Sequence, residues 1–310
     1  MAESKRESSS ELDTNKACRL RYVLITPARN EAAFIEQTIR SVIAQTVLPL
    51  KWVIVSDGST DRTDDIVRHY TVEHPWIELV RMPERMERHF AGKVHAFNAG
   101  YARVKDLDYD IIGNLDADIT FGADYLSFLV SRFQLSPELG VAGTPFREGT
   151  AQYDYRFTRK EHVSGACQLF RRDCFESIGG YVPLKGGGVD LLAVVTARLK
   201  GWRTHTFTEK FCVHHRPMGS AKHHALAITF RDGYYDYPLG VHPLYKLFSS
   251  LYRMGKRPII VGGIVHLAGY VWAIFMRPHR PVSTEFVRFR RTEQMRWLRE
   301  YFLSIARRSR

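Results

Sequence analysis

From residue 21 the chain alternates between two hydrophobic periods. RYVLIT (21–26), KWVIVSDGS (51–59), IELVRM (77–82) and YDIIGNL (109–115) are short apolar runs rich in β-branched residues and bounded by polar or turn-forming ones, so they read as buried strands. Between them, NEAAFIEQTIRSVIAQ (30–45) carries Phe34, Ile35, Ile39, Val42 and Ile43 at helical spacing, with Asn30 as the expected N-cap. TDRTDDIVRHYT (60–71) restarts a helix with acidic residues in its first turn, where the helix dipole favours them. KVHAFNAGYARV (93–104) is the next helix. Strands alternating with helices imply right-handed crossovers and a mostly parallel sheet covered on both faces, an α/β fold. The second half is less regular. LGVAGTPF (139–146) and GACQLFRRDCF (165–175) read as strands or strand-to-helix units, KGGGVD (185–190) as a flexible loop, and VDLLAVVTARLKGW (189–202) as a helix closed by Gly201.

The stretch RPIIVGGIVHLAGYVWAIFM (257–276) departs from this pattern. It holds about as many near-continuous apolar residues as a bilayer core requires. His266 is its one ionisable interior residue, and Gly262, Gly263 and Gly269 weaken it as a soluble helix. A tail follows in which Phe286, Phe289, Met295, Trp297, Leu298, Tyr301, Phe302 and Ile305 are amphipathic among arginines. Arg253, Lys256 and Arg257 precede the apolar stretch, so both flanks favour the cytoplasmic face. An interfacial or re-entrant helix is therefore expected instead of a span, with the tail on anionic headgroups. The competing expectation is a buried helix followed by a packed helix with a solvated basic face. The chain thus divides into a disordered polar tail (1–19), an α/β domain (20–235) and a helical, membrane-associated appendage (236–310).

Across 310 residues the net charge is +12, which suits an anionic partner: nucleic acid, an acidic membrane surface or a phosphorylated substrate. Cys18, Cys167, Cys174 and Cys212 show no metal-ligand spacing and read as reduced thiols of a cytosolic compartment. The N-terminal residues lack the apolar core of a signal peptide.

The candidate chemistry lies at the carboxyl ends of the strands, where open parallel sheets bind ligands. NLDADIT (114–120) places Asp116 and Asp118 two apart after a strand. Strand alternation would aim both side chains one way, and two hard oxygen ligands suit Mg²⁺ or Mn²⁺ bridging phosphates. A turn or a helix N-cap would also explain two aspartates. The set VLITPARNEAAFIEQTIRSVIAQT, VIVSDGSTDRT, GKVHAFNAGYARV, IIGNLDADITFGADYL, GACQLFRRDCFESIGGY and VDLLAVVTARLKGW, in that order over roughly residues 20–220, resembles the family 2 glycosyltransferases of GT-A fold.

That resemblance implies a Rossmann-like, mostly parallel sheet and a nucleoside-diphosphate sugar donor, most simply a UDP-sugar. It implies that Pro27, Arg29, Asn30 and Glu31 lie against the nucleotide, that Asp57 reads the uracil edge, and that Gly92 and Lys93 approach the phosphates. Ser56 departs from the family's paired aspartates, and Asp57 alone retains an acceptor for the imide N–H. Asp116 and Asp118 match the DxD motif, which holds Mn²⁺ or Mg²⁺ on the diphosphate, with Asp116 also counting toward the donor site. His214 and His215 match positions where a histidine completes the metal site. Asp190 matches the aspartate of the family's ED pair and is the expected general base, although Val189 replaces the glutamate. The implied enzyme is inverting and acts at the cytoplasmic face of the cell membrane, on a lipid-linked or glycan acceptor. The anionic partners are then the donor and a membrane surface, not nucleic acid. A polyprenyl-phosphate acceptor, which needs no base, and a non-catalytic basic membrane-binding protein are the alternatives.

Overall fold

The computed structural model describes residues 20–84, 90–149, 159–184, 186–216, 225–255 and 259–308. The expected disordered tail, Cys18, Lys256 and Arg257 lie outside the described residues. The chain divides into two compact units, one formed by residues 1–183 and 189–215, the other by 184–188 and 216–310.

Among the described residues, the first unit has ten strands: β1 (Tyr22–Ala28), β2 (Lys51–Asp57), β3 (Ile77–Met82), β4 (Ile111–Leu115), β5 (Ile119–Thr120), β6 (Leu139–Gly143), β7 (Phe146–Arg147), β8 (Cys167–Arg171), β9 (Arg203–Thr206) and β10 (Cys212–His214). Seven form the main sheet in the order β3-β2-β1-β4-β8-β6-β9. All its pairings are parallel except those of β8, which runs antiparallel to both β4 and β6. Its helices are α1 (Ile35–Ile43), α2 (Thr63–Glu73), α3 (Phe90–Val104), α4 (Tyr125–Leu135), α5 (Arg172–Ser177) and α6 (Val189–Leu199).

Strand alternation sorts the core into two layers. Tyr22, Leu24, Trp52, Ile54 and Ile111 face one cluster, while Val23, Ile25, Val53, Val55 and Ile112 face the other. Burial on both faces explains why these strands read as continuous apolar runs. Gly113 sits where β4 is squeezed between β1 and β8. A Cβ there would lie 2.4 Å from Leu169 Cδ2 and 2.6 Å from Leu24 Cδ2.

The second unit contains α7 (Ala225–Asp236), α8 (Pro243–Met254), α9 (Val261–Met276) and α10 (Thr284–Arg308). The long apolar stretch resolves as α9, whose 16 residues rise about 24 Å, short of the ~30 Å bilayer core. Among the described residues, no helix is long and apolar enough to cross a membrane. Two of its glycines serve packing: a Cβ on Gly269 would meet the Phe230 carbonyl oxygen at 2.1 Å, and one on Gly263 the Ser250 carbonyl oxygen at 2.4 Å. His266 belongs to a buried polar network. Lys246 Nζ lies 2.7 Å from Asp236 Oδ2 and 2.8 Å from His266 Nε2, and His266 Nδ1 lies 3.2 Å from Ser250 Oγ. Because Nε2 accepts from the ammonium, the ring proton sits on Nδ1 and is donated to Ser250. Burial, reinforced by Lys246, pushes the His266 pKa down to about 4. Much of the apolar side of α10 is spent on packing. Phe286 and Leu298 are buried, and Trp297 and Tyr301 make ring contacts with Phe248 of α8.

Candidate active site

The carboxyl ends of adjacent parallel strands β1, β2 and β4, together with the loops that leave them, carry Pro27, Arg29, Asn30, Glu31, Asp57, Asp116 and Asp118. Pro27 lies within β1 and Arg29, Asn30 and Glu31 follow it. Asn30 is not a helix N-cap. It adopts φ +55°, a region Asn tolerates, and its Oδ1 accepts from the Thr60 N–H at 2.9 Å. Helix α1 begins only at Ile35, after a turn in which the Phe34 and Ile35 amides donate to the Glu31 carbonyl. The first loop is otherwise bonded to the second: Asn30 N–H to Ser59 Oγ at 3.1 Å, Glu31 N–H to Thr63 Oγ1 at 2.8 Å, and Ala32 N–H to Asp61 Oδ2 at 3.0 Å. Asp57, buried, ends β2. Gly58 follows at φ +64°, where a Cβ would stand 2.6 Å from the Glu84 backbone. Ser56 Oγ is buried without a hydrogen-bond partner.

Asp116 and Asp118 lie in a turn between β4 and β5, not on a strand, so side-chain alternation is not what brings them together. The turn is held from three sides. Asp116 N–H donates to the Ala166 carbonyl at 2.9 Å, Thr38 Oγ1 donates to the Ala117 carbonyl at 2.9 Å, and His215 N–H donates to the Asp118 carbonyl at 2.9 Å. A small sheet, β5-β10-β7, then delivers the third group. Pairing of His214 with Ile119 sets His214 beside Asp118. Ligand atoms of Asp116, Asp118 and His214 all fall within 4.8 Å of one another, with His214 Nε2 3.5 Å from Asp118 Oδ1.

This donor set fits Mn²⁺ or Mg²⁺, with the imidazole favouring Mn²⁺. Burial and the adjacent Asp118 raise the Asp116 carboxyl above the usual carboxylate range, against the pull of Lys93. A cation would supply the missing positive charge. His214 Nδ1 is buried without a hydrogen-bond partner, and Glu148 Oε2 lies 3.8 Å away. That separation is beyond hydrogen-bond reach; a carboxylate that closed it would orient a ligating histidine and raise its basicity. Glu148 was not singled out from sequence. His215 points elsewhere: its Nε2 lies 2.8 Å from Thr120 Oγ1 and its ring stacks on Phe34.

Gly92 and Lys93 lie in the first turn of α3, which starts three residues earlier than its apolar spacing suggests. Lys93 Nζ contacts the Asp116 carboxylate. Burial disfavours the ammonium, but Asp116, Asp190 and Asp118 outweigh it and hold the amine above its ordinary range. Asp190 sits in the first turn of α6. A Cβ on Gly165 would lie 3.1 Å from Asp190 Oδ2, so the missing side chain lets Asp190 approach the entry to β8. Asn114 Nδ2 fixes that entry by donating to the Gly165 carbonyl at 2.7 Å.

Known proteins are similar to this chain in sequence and in fold. A poly-β-1,6-N-acetyl-D-glucosamine synthase of Staphylococcus aureus (strain COL) is 30% identical over 117 residues, 37% of this chain and 26% of the synthase. The chain thus spans about a quarter of the length of the curated relatives it first matches. In fold it is similar to a mannosyltransferase from Pyrobaculum calidifontis solved with GDP-Man and Mn²⁺ (TM-score 0.58, 24% identity, 83% of this chain and 73% of that one). It is also similar to S. aureus TarS in complex with UDP-GlcNAc (TM-score 0.53, 14% identity, 83% and 73%). Residues 23–181, from β1 through the DxD turn to Tyr181, match Glycosyl transferase family 2, and the chain belongs to that family.

Proposed function

We propose that this chain transfers a sugar, with inversion, from a UDP-sugar to a hydroxyl of a lipid-linked or glycan acceptor at the cytoplasmic face of the cell membrane. The observation that carries the reading is the convergence of Asp116, Asp118 and His214 just beyond β4, with Lys93 in contact with Asp116 and Asp57 at the end of β2. The UDP-GlcNAc bound by TarS, the GDP-Man and Mn²⁺ bound by the mannosyltransferase, and the synthase named above support it.

Asp57 would accept the imide N–H of uracil, and the loop carrying Arg29, Asn30 and Glu31 would flank the nucleotide. Lys93, whose amine stays charged, would neutralise phosphate oxygens as a point charge. Mn²⁺ or Mg²⁺ held by Asp116, Asp118 and His214 would, when bound, stabilise negative charge on the departing diphosphate. In the transfer, the acceptor oxygen attacks the anomeric carbon from the face opposite the diphosphate. The bond to the diphosphate breaks, and Asp190 takes the acceptor's proton. The membrane placement draws support from apolar side chains that α9 leaves exposed, among them Ile264, Trp272 and Phe275.

The test is Asp190→Asn. It should leave UDP affinity unchanged and cut transfer by about two to four orders of magnitude, the scale of a lost general base. Unchanged transfer would favour a phosphate acceptor, a reading that Val189 in place of the pair's glutamate keeps open.

A further inference from the structure

The second unit holds a groove of about 880 Å³ along one side of α10, lined by Arg280, Arg288, Arg291, Arg296, Arg299 and His242, with no aspartate or glutamate among the described residues of its walls. The four α10 arginines fall at i, i+3, i+8 and i+11, which places them on one side of a helix. Among the described residues, none of the four has a carboxylate within ion-pair distance. Arg291 Nε is buried without a hydrogen-bond partner. The walls are pinned by bonds that do not consume the lining groups. Buried Arg290 donates to the Leu239 carbonyl at 2.6 Å, and the His242 N–H donates to Gln294 Oε1 at 2.8 Å. His242 Nδ1 accepts from the Leu244 N–H at 3.2 Å, so its proton sits on Nε2 as a further donor.

Uncompensated guanidinium groups in a preformed groove call for phosphate oxygens. The surroundings decide between a soluble phosphate and a lipid. Leu244, Leu247 and Leu251 form an exposed stripe at i, i+3 and i+7 on α8, the helix that His242 caps, and Phe302 is exposed one turn beyond Arg299. Exposed aliphatic side chains gain nothing beside a free anion or a nucleic acid, but they gain burial beside acyl chains. We infer that this groove seats the phosphate headgroup of an anionic phospholipid, with the flanking apolar residues inserted at the acyl boundary. The inference deepens the membrane placement proposed above, from diffuse attraction to a built site, and does not depend on the sugar-transfer reading.

The test is partitioning of the full chain onto phosphatidylcholine vesicles with and without phosphatidylglycerol. Two double variants remove equal charge: Arg291→Gln/Arg296→Gln inside the groove, and Arg277→Gln/Arg307→Gln at exposed positions outside it. The groove pair should lose about thirtyfold of the phosphatidylglycerol-dependent binding, as expected for two arginines at an anionic surface, and the outer pair about threefold or less. Should the groove pair melt early, Arg288→Gln/Arg299→Gln, at two exposed lining positions, takes its place with the same expectation. Equal losses in both pairs would leave membrane attachment standing and overturn the groove. Partitioning that ignores phosphatidylglycerol would overturn it too, as would binding of inorganic phosphate or of an oligonucleotide without vesicle binding. Mn²⁺-dependent UDP binding, measured without vesicles, should be identical in all variants, which keeps this test separate from that of the transferase reading.

Discussion

Glu148→Gln removes the carboxylate facing His214 Nδ1 at 3.8 Å while keeping the side chain's size. Two full charges at that separation would interact by roughly 4 kcal/mol at an effective dielectric near 20. That is an upper bound, because a ligating imidazole is neutral and presents only its N–H dipole to Glu148. Both side chains are largely shielded from water, 11% and 22% exposed, so the interaction is not screened away. The expected loss is about ten- to a hundredfold in metal affinity, or ~1.4–2.7 kcal/mol, the scale for an outer carboxylate that orients a ligating histidine. Titrating the enzyme with Mn²⁺ and following the free ion by electron paramagnetic resonance reads this without donor or turnover. His214→Ala should weaken Mn²⁺ further. If Glu148→Gln binds Mn²⁺ as tightly as the wild type while His214→Ala does not, the orienting role is wrong. If neither variant loses affinity, His214 is not a ligand.

Gly113→Ala should destabilise the first unit by about 1–3 kcal/mol in urea unfolding, because the new methyl meets Leu24 and Leu169 in the middle of the sheet; an unchanged midpoint would refute the close approach. The pH dependence of stability should reveal His266, which faces Lys246, Asp236 and Ser250, with Arg253 also acting on it. Its folded pKa of about 4 lies below the ordinary 6.5, so between those values the unfolded chain binds more protons and stability rises with pH. The melting temperature should therefore fall as pH drops from about 6.5 to 4, and His266→Gln should flatten that fall; an unaltered profile would place the titration elsewhere.

What could be read from the sequence followed from local periodicity. Strands β1 to β4, the acidic first turn of α2 and the helix after Val189 sit where hydrophobic spacing puts them, and the DxD pair announces itself by chemistry. The unread parts depend on contacts between distant residues. Glu148 follows a two-residue strand, β7, that exists only because it pairs with β10 some 65 positions later. No local pattern marks it, although a carboxylate just beyond a short apolar run was the available hint. Asn30 carries every local mark of an N-cap, yet Ser59 and Thr60 of the next loop claim its polar groups. Gly263 and Gly269 of α9 look like flaws in a helix when read alone. Opposite the Phe230 and Ser250 carbonyl oxygens they are what permits close packing.

The central claim is that Asp116, Asp118 and His214 form a metal-dependent donor site, and UDP binding measured by calorimetry with and without Mn²⁺ tests it most directly. The wild type should bind UDP with Mn²⁺ and lose most of that affinity when the metal is chelated. Asp118→Ala should bind weakly under both conditions while its thermal melt stays close to wild type, because a turn residue at the sheet edge contributes little to the core. Undiminished Mn²⁺-dependent UDP binding by a folded Asp118→Ala protein would contradict the account.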